Sequence, residues 1–303
     1  GRFVKAKSGE RFDTLNPATK DTLASVAQAG EKDVDAAALA ARAHRQAYVS
    51  LPDAASLESA LATDAHFRVP LATMAHTLLG DDADTAACQH DIAAYLAALS
   101  PVARPDTVAQ ADSAVTRLTT RIGTAPIAAN ADDAIVTNLA GLLAQTYDAC
   151  AGLLGNAIVK LSREPALIEE LRAHPEATEP FLREVLRLDA PVQNTRRFVG
   201  SDTVLCGQRL RAGERILVLL AAANVDAAAN PDPLRFDIAR AECQLWTFGA
   251  GAHRCPAETL AVVIARETVQ HLLSLPGIAR WLAGLRTVHY RPSPNARIPV
   301  FAA

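Results

Sequence analysis

The sequence lacks a strong excess of charge of either sign, since 30 lysines and arginines face 33 aspartates and glutamates and give a net charge of -3. It therefore has no global basic field that would favour nucleic acid or an anionic membrane surface. It also lacks an uninterrupted apolar run of about 18 residues and a charged-then-apolar amino terminus with a cleavage site. These absences predict a protein that handles small molecules in the cytoplasm, without a membrane span or a secretory signal.

Paired cysteines are also missing. The five cysteines stand singly in the sequence, without CxxC pairs or His/Cys clusters, at positions Cys88, Cys150, Cys206, Cys243 and Cys255. This scatter argues against a structural zinc site and against a disulfide framework. Only Cys255 has distinctive neighbours.

Half of the residues are apolar, which is enough for a sizeable buried core. Strong helix formers dominate, and the longest helical pattern runs from Asp132 to about Leu161. We predict shorter helices at about residues 31–47, 56–64, 70–79, 83–99, 105–121, 165–173 and 177–188. After Pro191, short β-like runs broken by Gly and Pro predict a small sheet, and helix returns only at Pro256. The fold class is therefore mainly α with a small β region.

The loop FGAGAHRCPAE surrounds Cys255 with unusual constraints. Pro256 fits a first helical position, so Cys255 is expected at or beside a helix N-cap. The positive end of a helix favours thiolate over thiol and makes a soft ligand or nucleophile. Gly249 and Gly251 would let the backbone wrap closely around the sulfur or a flat partner. The alternative is an ordinary buried cysteine.

The spacing of Phe248, Gly249, Gly251, His253 and Cys255 matches FGxGxHxC and resembles the haem-binding loop of the cytochrome P450 family. The resemblance implies haem b as cofactor, with Cys255 as the axial thiolate on the iron. It also implies that His253 binds a haem propionate and that Phe248 shields the thiolate.

Further segments support the same resemblance in the expected order. Glu184 and Arg187 in FLREVLRLDAP form an ExxR pair, which by itself is typical of a solvated surface pair. In the family an arginine from a later loop completes this pair, and Arg235 stands where that residue is expected. In PVQNTRRFV, Arg197 aligns best with the family's propionate-binding arginine, and Arg196 is the alternative.

The long helix departs from the family pattern. The family carries an AGxET-like run there, whose acid and threonine deliver protons during oxygen activation, and the matching residues here are 145–149. Asp148 keeps the acid, so it is the candidate catalytic residue, but Ala149 replaces the threonine. A proton relay would have to use water, Thr146, Gln145 or the substrate. Asp148 could equally be an ordinary polar residue of the helix.

The amino-terminal part departs further. About 240 residues resemble P450 sequence, and the resemblance implies a P450-like fold that lacks part of its amino-terminal half. Residues 1–43, with SGERFDTLNPAT and EKDVDAA, resemble the extreme amino terminus of aldehyde dehydrogenases but stop before any of that family's catalytic residues. We therefore predict an aldehyde-dehydrogenase-like fragment at residues 1–45 and a P450-like haem-binding domain at residues 46–303.

The resemblance implies a haem-thiolate monooxygenase that inserts one oxygen atom from O2 into a small organic substrate. Its electrons would come from a separate ferredoxin or flavoprotein reductase. Two alternatives stay open: a truncated or rearranged protein that binds haem weakly or not at all, and a haem-binding electron-transfer or sensor module without oxygen chemistry.

Overall fold

A computed structural model describes the chain over residues 11–15, 22–27, 65–80, 82–100, 102–129, 131–285 and 288–301. Its helices are α1 (Ala65–Leu79), α2 (Thr85–Ala98), α3 (Pro105–Thr124), α4 (Asp133–Arg163), α5 (Ala166–Ala173), α6 (Thr178–Leu188), α7 (Leu220–Asn224), α8 (Glu258–Ser274) and α9 (Ile278–Gly284). The predicted mainly helical fold is confirmed. The predicted helices at 31–47 and 56–64 lie outside the described residues.

Helix α4 runs through both apolar cores of the described chain. Asp132 caps it, because its carboxylate accepts the N–H of Ile135 at 2.8 Å. The amino half of α4 packs with α1, α2 and α3, and the carboxyl half packs with α5, α6, α8 and α9. Its 31 residues confirm the long buried helix expected from the sequence.

Two helix starts differ from the sequence-based prediction. Helix α1 begins at Ala65 rather than near Pro70, because Phe67 continues the buried face formed by Leu71 and Met74. Pro70 lies inside that helix and removes one backbone donor. Helix α8 begins at Glu258 rather than at Pro256, with Ala257 as its N-cap.

The described strands pair two at a time in antiparallel fashion. The pairs are β1 (Arg11–Leu15) with β2 (Thr22–Ala27), β3 (Thr195–Phe198) with β6 (Arg215–Val218), β4 (Thr203–Leu205) with β5 (Gln208–Leu210), and β7 (His289–Tyr290) with β8 (Pro299–Val300). In the β3–β6 pair, Arg196 faces Leu217 and Phe198 faces Arg215. Phe198 is 70% exposed and Leu217 is 54% exposed, so one face of this pair presents apolar side chains to solvent.

The carboxyl-terminal strands pack directly on α4. A Cβ atom at Gly155 would lie 2.8 Å from Cδ of Pro299, and one at Gly152 would lie 2.7 Å from Cβ of Pro191. These two glycines therefore set how closely the end of the chain approaches the long helix. Among the helices of the described ranges, none combines the length and apolar character that a bilayer crossing requires.

Candidate functional site

The Cys255 loop has the tight backbone that its glycines predicted. Gly249 and Gly251 adopt φ values of 71° and 62°, a left-handed conformation that other residues rarely take. The N–H of Cys255 donates to the carbonyl of Phe248 at 2.7 Å, which closes the loop on itself. A Cβ atom at Gly249 would lie 3.3 Å from the carbonyl oxygen of His253, so glycine is required there by both conformation and space.

The sulfur of Cys255 receives a hydrogen bond from the N–H of Ala257, the residue that caps α8. Burial raises the pKa of the Cys255 thiol, and this backbone hydrogen bond opposes the rise. Cys255 lies two residues before the N-cap and outside the first helical turn. Its sulfur therefore contacts α8 through a single N–H group, that of Ala257. The pKa of its thiol is raised overall, so the expectation that the helix start favours thiolate over thiol is wrong for the chain as described.

Helix α4 and the Cys255 loop share one apolar core. Phe248 of the loop packs against the cluster that contains Leu153 and Leu154 of α4. Burial raises the pKa of the Cys150 thiol, on the same helix, to about 12. The expected arrangement, with the Cys255 loop and the long helix near one another, is therefore present in the described chain. Ala149, which stands at the family's threonine position, is partly exposed beside Cys150.

Asp148 forms an ion pair that the sequence did not indicate. Its Oδ2 lies 2.5 Å from Nη2 of Arg291, beside strand β8 at the end of the chain. The guanidinium of Arg291 also lies over the ring of Phe67, 5.4 Å from the centroid. The ion pair therefore joins the candidate catalytic acid to the carboxyl-terminal strands, two segments that are far apart in the sequence.

Glu184 and Arg187 are buried rather than solvated, with side-chain exposures of 3% and 0%. Arg187 donates to both carboxylate oxygens of Glu184, at 2.7 and 2.9 Å. Burial alone would raise the pKa of Glu184, but the hydrogen bonds from Arg187 and from the N–H of Asp237 outweigh it and hold the pKa below its usual range. The surface-pair interpretation of the ExxR motif is therefore wrong.

The second cation on Glu184 is Arg240, not the predicted Arg235. Nε of Arg240 donates to Oε1 of Glu184 at 3.0 Å, and the side chain is 9% exposed. The side chain of Arg235 is 69% exposed and lies 3.7 Å from Asp237. Arg235 contributes its backbone carbonyl, which accepts from Arg187 and from Arg240 at 2.9 Å each. The loop turns the Arg235 side chain outwards, so its position in the sequence was misleading.

Two buried asparagines also hold the start of the Cys255 loop, and sequence analysis missed them. Oδ1 of Asn224 accepts the N–H of Trp246 at 2.7 Å, and its Nδ2 donates to Thr247 at 2.8 Å. Oδ1 of Asn230 accepts the N–H of Gln244 at 3.0 Å. Both asparagines are fully buried. Their only sequence signal is a position beside turns, which asparagine often occupies for other reasons.

The predicted propionate-binding residues lie at the surface. His253 is exposed in the Cys255 loop. Arg197 is partly exposed on β3, where its Nη1 donates to Oγ1 of Thr195 and to the carbonyl of Arg196 at 2.8 Å each. Phe248 is partly buried against the core. None of the described contacts joins Arg197 to His253, so their shared role stays a prediction.

The donor set of this loop fits a haem-thiolate ligand. Cys255 is partly exposed and its sulfur accepts the backbone N–H of Ala257, and Gly249 leaves a space beside the carbonyl of His253 that a Cβ would fill. A backbone donor to the sulfur stabilises the anionic ligand form. The Cys255 loop therefore offers a sulfur donor and the backbone space that such a ligand requires.

Comparison with known proteins supports this interpretation. Residues 158–274 match the family model described as "Cytochrome P450". The "Putative cytochrome P450 140" of Mycobacterium tuberculosis is 40% identical over 132 residues, which are 43% of this chain and 30% of the relative. The "Putative cytochrome P450 133B2" of Xylella fastidiosa is 34% identical over 166 residues, which are 54% of this chain and 41% of the relative. The chain thus spans less than half the length of these curated relatives.

The fold agrees with these sequence matches. The crystal structure of CalO2 superposes with a TM-score of 0.74 at 22% identity and covers 90% of this chain and 73% of that one. Members of the cytochrome P450 family bind haem b. Residues 158–274 therefore match the cytochrome P450 family. The chain also has the fold of the cytochrome P450 enzyme CYP109B1 from Bacillus subtilis, which superposes with a TM-score of 0.71 at 20% identity over 89% of this chain and 77% of that one.

Proposed function

We propose that this chain binds haem b through Cys255 and acts as a monooxygenase that inserts one oxygen atom from O2 into a small organic substrate. Electrons would come from a separate ferredoxin or flavoprotein reductase. The observation that carries the proposal is the closed Cys255 loop. Its Cys255 N–H donates to the carbonyl of Phe248 at 2.7 Å, its Gly249 and Gly251 have positive φ, and its Phe248 packs against the core shared with α4.

The residues of the proximal loop have separate roles in holding the cofactor. Cys255 supplies the thiolate, and the glycine backbone at Gly249 and Gly251 lets a flat ring system approach. The imidazole of His253 and the guanidinium of Arg197 are the solvent-accessible hydrogen-bond donors that would bind the propionates. A thiolate-ligated haem supplies the electron-transfer and dioxygen chemistry when bound.

Polar residues of α4 would supply protons to the reaction. Asp148 is the only acid within residues 145–149, and Gln145 is the exposed polar side chain one turn before it. Thr146 is less suited to a relay, because its hydroxyl donates to the carbonyl of Leu142 at 2.9 Å within the helix. Ala149 offers no hydroxyl, so we expect protons to reach the site inefficiently and reductant to be partly wasted.

The test is the difference spectrum of the reduced protein with carbon monoxide, after addition of haem to the purified chain. Thiolate ligation gives a strongly red-shifted Soret band. We expect Cys255→Ala to abolish this band and Cys206→Ala, which removes an exposed thiol elsewhere, to leave it unchanged. Absence of haem uptake, or an unchanged band in Cys255→Ala, would reject the proposal.

A second candidate is a haem-binding electron-transfer or sensor module, and Ala149 is the observation that favours it. A chain that takes up haem stoichiometrically but forms no product with any supplied reductase would support this candidate. The further alternative, weak or absent haem binding, predicts no red-shifted band at all.

A further inference from the structure

The ion pair between Asp148 and Arg291 lies where two structural elements meet. Arg291 is fixed at its backbone, because its N–H donates to the carbonyl of Ile298 at 2.9 Å beside the β7–β8 pair. Its side chain reaches Asp148 on α4 at 2.5 Å. The side chains are 35% and 26% exposed respectively, so solvent and small molecules can reach the pair.

Both partners have unused hydrogen-bonding capacity within the described part of the chain. Oδ1 of Asp148 is buried and has no hydrogen-bond partner there. A guanidinium carries five N–H donors, and the described contacts of this group are Asp148 and the Phe67 ring. Arg297 is different, because it donates to Asp189 at 3.2 Å and to the hydroxyl of Tyr290 at 3.0 Å.

We propose that Arg291 binds the carboxylate of an apolar monocarboxylate ligand, which takes the place of Asp148 on the guanidinium. The structure already holds a carboxylate on Arg291, namely that of Asp148, so the ligand would present the same chemical group. When the ligand carboxylate replaces that of Asp148, the guanidinium of Arg291 still pairs with one carboxylate. The inference rests on the proposed function in one respect, since a ligand held there would be the substrate.

The surface of α4 next to the pair suits the apolar part of such a ligand. Leu142, Gln145 and Ala149 follow at helical spacing on one side of α4, and all three are exposed or partly exposed. Leu142 and Ala149 offer apolar surface about two helical turns apart. An aliphatic chain can lie along this side while its carboxylate reaches Arg291.

Because two carboxylates compete for the guanidinium of Arg291, the direction in which Asp148 changes the ligand affinity can be predicted. Asp148 already neutralises the positive charge of Arg291, so a second carboxylate binds there at full strength only when Asp148 moves away, and Asp148 thereby lowers the apparent affinity of the ligand. Replacing Asp148 with a neutral residue removes the competitor and raises that affinity. The same exchange releases the carboxylate that the proposed function assigns to proton handling.

Calorimetric titration of the purified chain with octanoate and with octan-1-ol tests the proposal. We expect Arg291→Gln to weaken octanoate binding about tenfold, as loss of a charge-assisted hydrogen bond does. Arg291→Lys should retain part of the affinity. Asp148→Asn should bind octanoate several-fold more tightly than the unaltered chain. Octan-1-ol, which has no charge, should bind each variant equally.

Arg297→Gln is the matched control, because Arg297 is a paired arginine of similar exposure, 38%, in the same carboxyl-terminal region. It should leave octanoate affinity unchanged. Equal octanoate affinity in Arg291→Gln and the unaltered chain would overturn the proposal, and weaker binding by Asp148→Asn would overturn the exchange. Calorimetry requires no turnover, so octanoate binding that depends on Arg291 would stand even if the carbon monoxide spectrum rejected haem ligation.

Discussion

The guanidinium of Arg240 donates to Glu184 at 3.0 Å from a loop that the ExxR motif does not include. Glu184 thereby contacts two arginines and the N–H of Asp237 while it is almost fully buried. A buried carboxylate is stable only when its charge is paired and its lone pairs are hydrogen-bonded. Arg240 therefore joins Glu184 of α6 to the loop around Arg235, whose carbonyl also accepts from Arg240.

We predict that Arg240→Ala lowers the free energy of unfolding by about 3 kcal/mol, because it leaves buried charge on Glu184 under-compensated. Arg235→Ala is the matched control from the same loop and should change the free energy of unfolding by less than about 0.5 kcal/mol. Urea denaturation measures the free energy of unfolding of both variants. Equal losses in the two variants would contradict the assignment of Arg240.

Helix α4 contains two glycines with opposite surroundings. A Cβ at Gly155 would lie 2.8 Å from Pro299, whereas a Cβ at Gly141 would meet no atom within 4 Å. We expect Gly155→Ala to destabilise the fold by about 1–3 kcal/mol through overpacking. Gly141→Ala should stabilise it by about 0.5–1 kcal/mol through helix propensity. Thermal unfolding followed by circular dichroism distinguishes the signs, and stabilisation by Gly155→Ala would refute the close approach of β8.

Asp91 joins α2 to α3 through Arg117 and Arg121, at 2.7 and 2.6 Å. Burial alone would raise the pKa of Asp91, but hydrogen bonds from Arg121 and Arg117 outweigh it and lower the pKa in the folded chain. A lowered folded pKa contributes stability above the unfolded value of about 3.9, and this contribution is lost as pH falls through the folded value.

We therefore expect Asp91→Asn to be less stable than the unaltered chain at neutral pH and to lose less stability between about pH 5 and pH 2. Denaturant titrations at several pH values in that range measure how steeply the free energy of unfolding changes with pH. Asp112→Asn, at an exposed position of α3, should leave the slope unchanged. Parallel curves for Asp91→Asn and the unaltered chain would show that Asp91 does not titrate in the predicted way.

Ala149 stands next to Asp148 at the position where the resembled family has a threonine, so the threonine hydroxyl is absent. In a preparation that turns over, Ala149→Thr should raise product formed per reductant consumed several-fold, because the new hydroxyl can relay protons. Ala149→Val has nearly the same shape and no hydroxyl, so it should give no gain. An equal gain in both variants would assign the effect to packing rather than to proton transfer.

The sequence predicted the features that depend on local pattern. The length of α4 followed from the helical, apolar pattern between Asp132 and about Leu161. The tight backbone of the Cys255 loop followed from Gly249 and Gly251. The FGxGxHxC and ExxR motifs identified the fold, which the comparisons confirm. The roles of His253 and Arg197 toward haem stay predictions.

The features that sequence analysis missed depend on long-range packing. Which of Arg235 and Arg240 faces Glu184 is decided by how one loop turns, and neither residue type nor spacing contains that information. The contact between Arg291 and Asp148 requires the end of the chain to lie on α4, which in turn requires glycine at position 155. The predicted start of α1 at about residue 70 is wrong, because buried Phe67 extends the helix to positions before Pro70.

The face of the β3–β6 pair with Phe198 and Leu217 affects how the protein behaves in concentrated solution. Open strand edges next to exposed apolar side chains can template pairing with another molecule. Arg196 and Arg215 lie opposite these two apolar residues, so two like molecules that approach by this face bring guanidinium groups together. Added salt screens that repulsion. Preparations should therefore stay dispersed at low ionic strength and self-associate as salt is raised.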